Sequence, residues 1–373
     1  MAKNIVIFSD GTGQEGGKGN NTNIYKLFNM IEDRTPRQIA FYDPGLGTGI
    51  HRLTGNVGGF GISRNIQQCY RFLFEHYEAG DKIFLFGFSR GAATVRSLSG
   101  FLHYFGILPK SRPELIATAY DIYMIEDEGK RKEKAAAFLK DHHNMWTKVE
   151  FIGCYDTVAA LGLPIKSLSV LLDGIPGFRH RFHNFRLSET ITHAYQALAI
   201  DDERKTFHPV LWEQQVKEWQ TVKQVWFSGM HTDVGGGYAE QDLSDIPLVW
   251  LTRQAINHGL LIYPKHTVDP HEDAQGKMHD SRGTWLTRLY RREQRHWDAA
   301  TRGKPLVHAS VLERHAKHPT AYHPWILEMD YDVEPWEQWP AKEKQPLFDC
   351  TAQTACDIDT VDGNGPAACN VKG

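Results

Sequence analysis

No run of apolar residues in this chain reaches the roughly 18 that a membrane-spanning helix requires. The best candidate, Ala159 to Phe178, is broken by Pro164, Lys166, Asp173 and Pro176. An excess of positive charge is missing as well. The 42 Lys and Arg stand against 45 Asp and Glu, a formal net charge of -3, which argues against a dedicated nucleic-acid binder. Cysteine is scarce, 5 in 373 residues. Cys69 and Cys154 sit among apolar neighbours and are expected to be buried thiols. Cys350, Cys356 and Cys369 lie in a polar tail, where their odd number fits neither a zinc site nor a paired framework. One tail disulfide among them stays open, and no metal site is expected. A cleaved signal peptide is not expected, because Met1 to Phe8 enters a strand-like run at once. Synthesis in the cytoplasm is therefore expected, with any export using a route that needs no cleaved signal. No internal repeat is visible.

What the chain does have is enough apolar material, 41% of its residues, for one large α/β domain of roughly 250–300 residues with insertions. Four short runs rich in β-branched and aromatic residues are expected as buried strands: Ile5–Phe8, Ile83–Phe86, Val149–Cys154 and Val222–Phe227. Gln38–Tyr42 is a weaker fifth. Between them, Ile62, Ile66, Cys69 and Leu73, and then Ala92, Val95, Leu98 and Leu102, recur at spacings of three and four, which marks helices. Buried strands alternating with helices predict an α/β fold with a mostly parallel central sheet covered on both faces. Two polar, charged stretches, 111–144 and 263–303, are expected as insertions, the first a solvated helical excursion and the second carrying a basic helix-like piece. The catalytic domain is expected over 1–325, with 326–373 a loosely held tail.

The strongest local signal is Gly87-Phe88-Ser89-Arg90-Gly91-Ala92, directly after the Ile83 strand and opening the Ala92 helix. A bare G-x-S-x-G is common. Set between a buried strand and a helix start, it is the arrangement that exposes a nucleophilic serine on a sharp, strained turn. Bulky side chains two residues before or after would not fit such a turn, which accounts for the two glycines. The helix beginning behind Ser89 aims free N–H groups at developing negative charge.

A serine nucleophile needs a base, and the base needs an orienting acid. In this architecture both arrive later in the chain, at the carboxyl ends of strands. Val149–Tyr155 runs into Asp156, and Val222–Phe227 runs into Ser228-Gly229-Met230-His231, so Ser89, Asp156 and His231 form the expected triad. A rival pairing keeps Ser89 and takes Asp233 as acid and His308 as base, although His308 follows no evident strand. For the oxyanion, the backbone N–H of Arg90 and that of Gly11 or Thr12, in the loop Ser9-Asp10-Gly11-Thr12-Gly13, are the candidate donors. A second glycine loop, Asp43 to Gly49, is expected to line the crevice. It is not a phosphate-binding Walker loop, since no Gly-Lys-Ser/Thr follows.

Together these segments resemble the first class of type VI secretion lipase effectors. The matching pieces are Asp10-Gly11-Thr12, the Gly-Phe-Ser-Arg-Gly-Ala elbow at 87–92, Asp156-Thr157-Val158, Ala199 to Arg204, and His231-Thr232-Asp233-Val234-Gly235-Gly236-Gly237-Tyr238, in order across about residues 4 to 315. The resemblance implies an α/β-hydrolase core, phospholipase A activity needing no cofactor, and a Ser–Asp–His triad on Ser89, Asp156 and His231. It also implies delivery into rival cells by a type VI secretion apparatus, with that apparatus and an immunity protein as partners. Read on its own residues, Leu161 to Phe178, apolar and proline-broken after Asp156, fits a lid over the crevice or a buried helix pair. Arg282 to Trp297 sets Arg282, Arg288, Arg291, Arg292 and Arg295 beside Trp285, Leu286, Leu289, Tyr290 and Trp297. A basic, aromatic helix face of that kind suits an anionic lipid surface, and a plain solvated helix is the other reading of the same residues.

Two readings from other classes stand beside this one. A non-catalytic interaction protein that kept the fold would not react with a fluorophosphonate probe. A metal-assisted phosphoesterase built on Asp10, His231 and Asp233 would lose activity to a chelator and keep it in Ser89→Ala.

Overall fold

The first strand shows why the sheet is central. In β1 (Asn4–Ser9) every residue is buried, with Ile5 and Ile7 packing into one hydrophobic cluster and Val6 and Phe8 into another. A strand apolar on both faces must be covered on both sides. β2 (Gln38–Asp43), β3 (Lys82–Phe88), β4 (Val149–Tyr155) and β6 (Thr221–Phe227) form at the positions expected from sequence. Three more strands went unforeseen: β5 (Ile191–Ala199), β7 (Leu306–His308) and β8 (Asp332–Glu334). The eight strands form one sheet in the order β2-β1-β3-β4-β5-β6-β7-β8, and every pairing is parallel. This is the α/β-hydrolase type of architecture.

These coordinates come from a computed structural model that describes residues 2–11, 16–45, 59–158, 187–213, 216–285 and 287–340. The expected lid, Leu161 to Phe178, lies outside the described residues, as do Thr12, most of the Asp43–Gly49 loop, Leu286 and the three tail cysteines. One face of the sheet is covered by α2 (Gly59–His76) and α3 (Arg90–Phe105). Cys69 and Cys154 are free, buried thiols on that side, as their apolar neighbours implied. On the other face lie α1 (Asn23–Met30) and α7 (Asp242–Asn257), with the short α6 (His231–Gly235) between them.

The 111–144 stretch forms α4 (Leu115–Tyr123) and α5 (Glu128–Asp141). It is less of a solvated excursion than its charge implied, because Leu115, Tyr120, Tyr123, Ala135 and Phe138 all join the core beneath α3. Two short helices complete the set, α8 (Ala299–Arg302) and α9 (Ala309–Lys317). The sheet runs past residue 325, where the sequence reading ends the catalytic domain. β8 pairs with β7, and the compact unit extends to Trp339. Among the described residues no helix is long and apolar enough to cross a membrane.

Candidate active site

The turn from β3 into α3 holds Ser89 at φ 58°, ψ −121°, a conformation that L residues avoid. Close packing imposes it. A Cβ on Gly87 would lie 2.6 Å from the backbone of Ala92, and one on Gly91 would lie 2.0 Å from the carbonyl oxygen of Ser9. The two glycines therefore let the turn close on itself and press against the end of β1. The Ser89 N–H donates to the Tyr155 carbonyl at 3.1 Å, locking the turn to the end of β4.

The residue after Tyr155 is Asp156, the other described non-glycine residue with positive φ, at 40°. Its carboxylate is fully buried and takes four hydrogen bonds. Arg295 donates through Nη1 to Oδ1 at 2.6 Å and through Nη2 to Oδ2 at 2.8 Å. The Ala199 N–H donates to Oδ1 at 3.1 Å, and His231 Nδ1 donates to Oδ2 at 2.5 Å. Burial alone would push this carboxyl up, but the Arg295 guanidinium and the His231 contact outweigh it and hold Asp156 well below the usual carboxylate range.

His231 opens α6 just after β6. Its backbone N–H donates to Asp202 at 3.3 Å, and its ring lies between Phe88, 4.7 Å away, and Phe207, 5.2 Å away. Asp202 is held in turn by a fork from Arg204, whose guanidinium stacks on Phe207 at 3.6 Å. Burial opposes the charge on Asp202, yet Arg204 keeps its carboxyl low. Ser89, Asp156 and His231 thus sit at the carboxyl ends of β3, β4 and β6. Asp156 and His231 are directly bonded, the Phe88 ring lies against His231, and the Ser89 N–H is bonded to the residue before Asp156.

The rest of the His231–Tyr238 motif is packing. A Cβ on Gly235 would fall within 2.0 Å of the Phe88 ring, so only glycine lets that ring reach His231. Asp233, offered as a rival acid, accepts the Met230 N–H at 3.1 Å and pairs with His279 Nδ1 at 2.6 Å. Its partner is His279, a residue of the 263–303 stretch that the sequence did not single out.

The rival base fares no better. His308 does end a strand, contrary to expectation, but it is buried against Phe227 and bonded to Ser310 Oγ at 2.8 Å. Burial pushes its imidazole down to about 3. The structure does not bring Asp233 and His308 together.

Two further expectations are corrected. The Gly11 N–H is not free for an oxyanion, because it donates to the Asp10 carboxylate at 2.6 Å. Asp10 also takes the hydroxyls of Thr22 and Tyr42, each at 2.7 Å, and burial pushes it up to about 6 against those bonds. The Arg90 N–H opens α3, where the first amides have no helical partner. Nor is Arg282–Trp297 a basic helix. Among its described residues only Thr287–Leu289 forms a 3-10 turn, and the chain beyond it runs alongside residues 203–205. The arginines consequently diverge. Arg288 and Arg291 are exposed beside exposed Trp285 and Leu289, Arg292 pairs with Glu203, and Arg295 dives inward to Asp156. Arg295 is the site residue the sequence reading misplaced. The residues of the metal-assisted reading are each committed elsewhere, Asp10 to Tyr42, His231 to Asp156 and Asp233 to His279. Among the described residues no three His, Cys, Asp or Glu converge as metal ligands.

Comparison with known proteins gives the chain a family. Residues 3–254 match the catalytic domain of type VI secretion Tle1-like phospholipase effectors. The chain is 28% identical over 233 residues to the uncharacterized protein YEL023C of Saccharomyces cerevisiae, covering 55% of this chain and 32% of that one. An uncharacterized protein from Pseudomonas aeruginosa superposes with a TM-score of 0.49 at 16% identity, covering 72% of this chain and 47% of that structure. A Tle1 effector bound to the VgrG spike of a type 6 secretion system gives 0.36 at 19% identity, covering 64% and 52%. The chain therefore spans about a third of the yeast protein and about half of each of those two structures.

Proposed function

This chain belongs to the Tle1-like phospholipase effector family, whose catalytic domain it matches, and from that premise we propose that it hydrolyses carboxylic esters of lipids as a serine phospholipase A. The observation that carries the reading is the strained Ser89 turn, bonded through its N–H to the strand end that presents Asp156 to His231.

In this mechanism His231, its Nδ1 proton held by Asp156, takes the Ser89 hydroxyl proton on Nε2. The Ser89 oxygen then attacks the acyl carbonyl. The oxyanion that forms is met by the Arg90 N–H at the start of α3, where a single donor of this kind contributes on the order of 10²–10³ in rate. His231 returns the proton to the departing lysolipid alcohol. Water, activated by the same imidazole, releases the fatty acid from the acyl-enzyme. The oxidation state of every centre is unchanged, and the residues need no cofactor for these steps. We extend the proposal to the setting of the family: delivery by a type VI secretion apparatus, contact with that apparatus and with an immunity protein, and peripheral contact with the target membrane through exposed Trp285, Leu289, Arg288 and Arg291.

Product analysis of purified protein on mixed phospholipid vesicles tests the reading. The expected products are free fatty acid and lysophospholipid, both lost in Ser89→Ala. Released head group or phosphomonoester that persists in Ser89→Ala would overturn it in favour of phosphoester chemistry.

A further inference from the structure

Arg295 is the residue of this site that neither the family match nor the motifs single out. It comes from the irregular stretch after the Thr287–Leu289 turn, and its side chain is wholly buried. The guanidinium spends four hydrogen bonds on three partners. Two go to the two oxygens of Asp156, one to the Ala199 carbonyl at 2.6 Å and one to the Phe207 carbonyl at 2.6 Å. Planar forks of this kind fix a carboxylate in orientation as well as in charge.

The chemistry of the site gives that fork a task. Asp156 is fully buried, so an isolated carboxylate there would draw a proton onto itself or onto the attached imidazole. A His231 already protonated has no lone pair to accept the Ser89 proton. A cation on the far side of the carboxylate removes that pull. We infer that Arg295 is a positioning residue of the catalytic site: it keeps Asp156 ionised, turned to receive the His231 Nδ1 proton, and sets the pH at which the pair takes up a proton. This rests on the Ser89–His231–Asp156 reading.

The other charges around the pair are accounted for. Asp202 receives the His231 N–H and is matched by Arg204. Asp201 takes the Gly229 N–H and the Tyr322 hydroxyl, and burial raises it to about 6. The Arg90 side chain lies near Tyr290. When Arg295 is replaced, Asp202 keeps its fork from Arg204 and Asp201 keeps its two donors, although both lose the attraction of the Arg295 charge; Asp156 loses the cation bonded to it and stands as an unmatched negative charge beside His231. The pair should bind its proton at higher pH. A charge at this range moves a titration by roughly 1 unit or more. The Phe207 carbonyl bond adds a second link, since the Phe207 ring meets both His231 and Tyr290.

The test is the second-order rate of labelling of the full chain by a fluorophosphonate, followed from pH 5 to 9, with folding checked by circular dichroism. Arg295→Met should move the midpoint of the acid limb up by about 1 unit and lower the plateau. Arg295→Lys restores the charge but not the fork, so its midpoint should stay near wild type while its plateau falls roughly tenfold. A folded Arg295→Met with the wild-type midpoint would overturn the inference. If Arg295→Met does not fold, Arg295→Lys decides alone, and a Lys variant with the wild-type plateau, or with a midpoint raised by a full unit, overturns it. Wild type that labels no better than Ser89→Ala fails the triad reading itself, a result distinct from either of these.

Discussion

Replacing Asp156 by Asn removes one oxygen and a charge from the point where four hydrogen bonds meet. The carboxylate accepts from Arg295 at 2.6 and 2.8 Å, from His231 at 2.5 Å and from the Ala199 N–H at 3.1 Å. An amide offers one acceptor oxygen and an NH₂ group. With its oxygen kept on Arg295 and Ala199, the NH₂ faces His231 Nδ1 and forces that nitrogen to accept. The ring proton then moves to Nε2, where a base is required, and a wrong-tautomer imidazole of this kind costs on the order of 10⁴ in rate. Stability falls too, because Arg295 is left as a buried cation without its bonded carboxylate, and breaking one side of such a pair costs ~3–5 kcal/mol.

The pH dependence follows from the sign of the shift. Asp156 in the fold lies below its unfolded value, so its contribution is complete above the unfolded carboxyl range near pH 4 and drains away as pH falls further. The stability gap between wild type and Asp156→Asn should therefore be full at pH 7 and narrow below about pH 4. Urea unfolding at several pH values gives the gap, and ester hydrolysis gives the rate. The same change at Asp233, which serves His279, should cost far less rate. An Asp156→Asn protein within about 0.5 kcal/mol of wild type at pH 7, or one keeping more than a few per cent of its activity, would refute the reasoning.

Three further outcomes are expected. Gly91→Ala places a methyl 2.0 Å from the Ser9 carbonyl oxygen in a wholly buried strand, so it should lose ~3 kcal/mol or more by denaturant titration; Gly129→Ala, which meets only the Asp127 Oδ1 at 3.3 Å, should change stability by less than about 1 kcal/mol, and equal effects would contradict the close approach at the elbow. His308→Ala should unfold more readily but label at a rate within about twofold of wild type, whereas a folded, unreactive variant would return the base to His308. Replacing Trp285, Arg288 and Arg291 together should slow hydrolysis of anionic vesicles several-fold, an effect that fades with added salt, while a soluble short-chain ester is cleaved as before; a parallel loss on the soluble ester would mean the segment supports the site and not membrane contact.

Much of the site was legible because its residues follow strands that announce themselves. Ile83–Phe86 is a continuous apolar run and Val222–Phe227 ends in one, Val225-Trp226-Phe227, and the residues after them are by geometry at the carboxyl edge. β5 escaped because His193 and Gln196 interrupt its run, and the interruption has a use. Gln196 is fully buried and bonds Arg96, Thr157 and Gln224. Arg295 escaped for a different reason. In a row of arginines nothing local marks the one that turns inward, and its partner lies 139 residues away. The helical reading of that row failed because its chain runs along residues 203–205, which only tertiary packing decides. Asp233 was overvalued for a similar reason, since its partner His279 sits in a polar stretch with no pattern of its own.

The central claim is that Ser89 is an activated nucleophile. Incubating the protein with a fluorophosphonate and mapping the modified peptide by mass spectrometry tests it most directly. The probe should be found on Ser89 alone, with labelling abolished in Ser89→Ala and strongly slowed in His231→Ala. A folded protein that remains unlabelled, or that carries the probe on a different residue, contradicts the account.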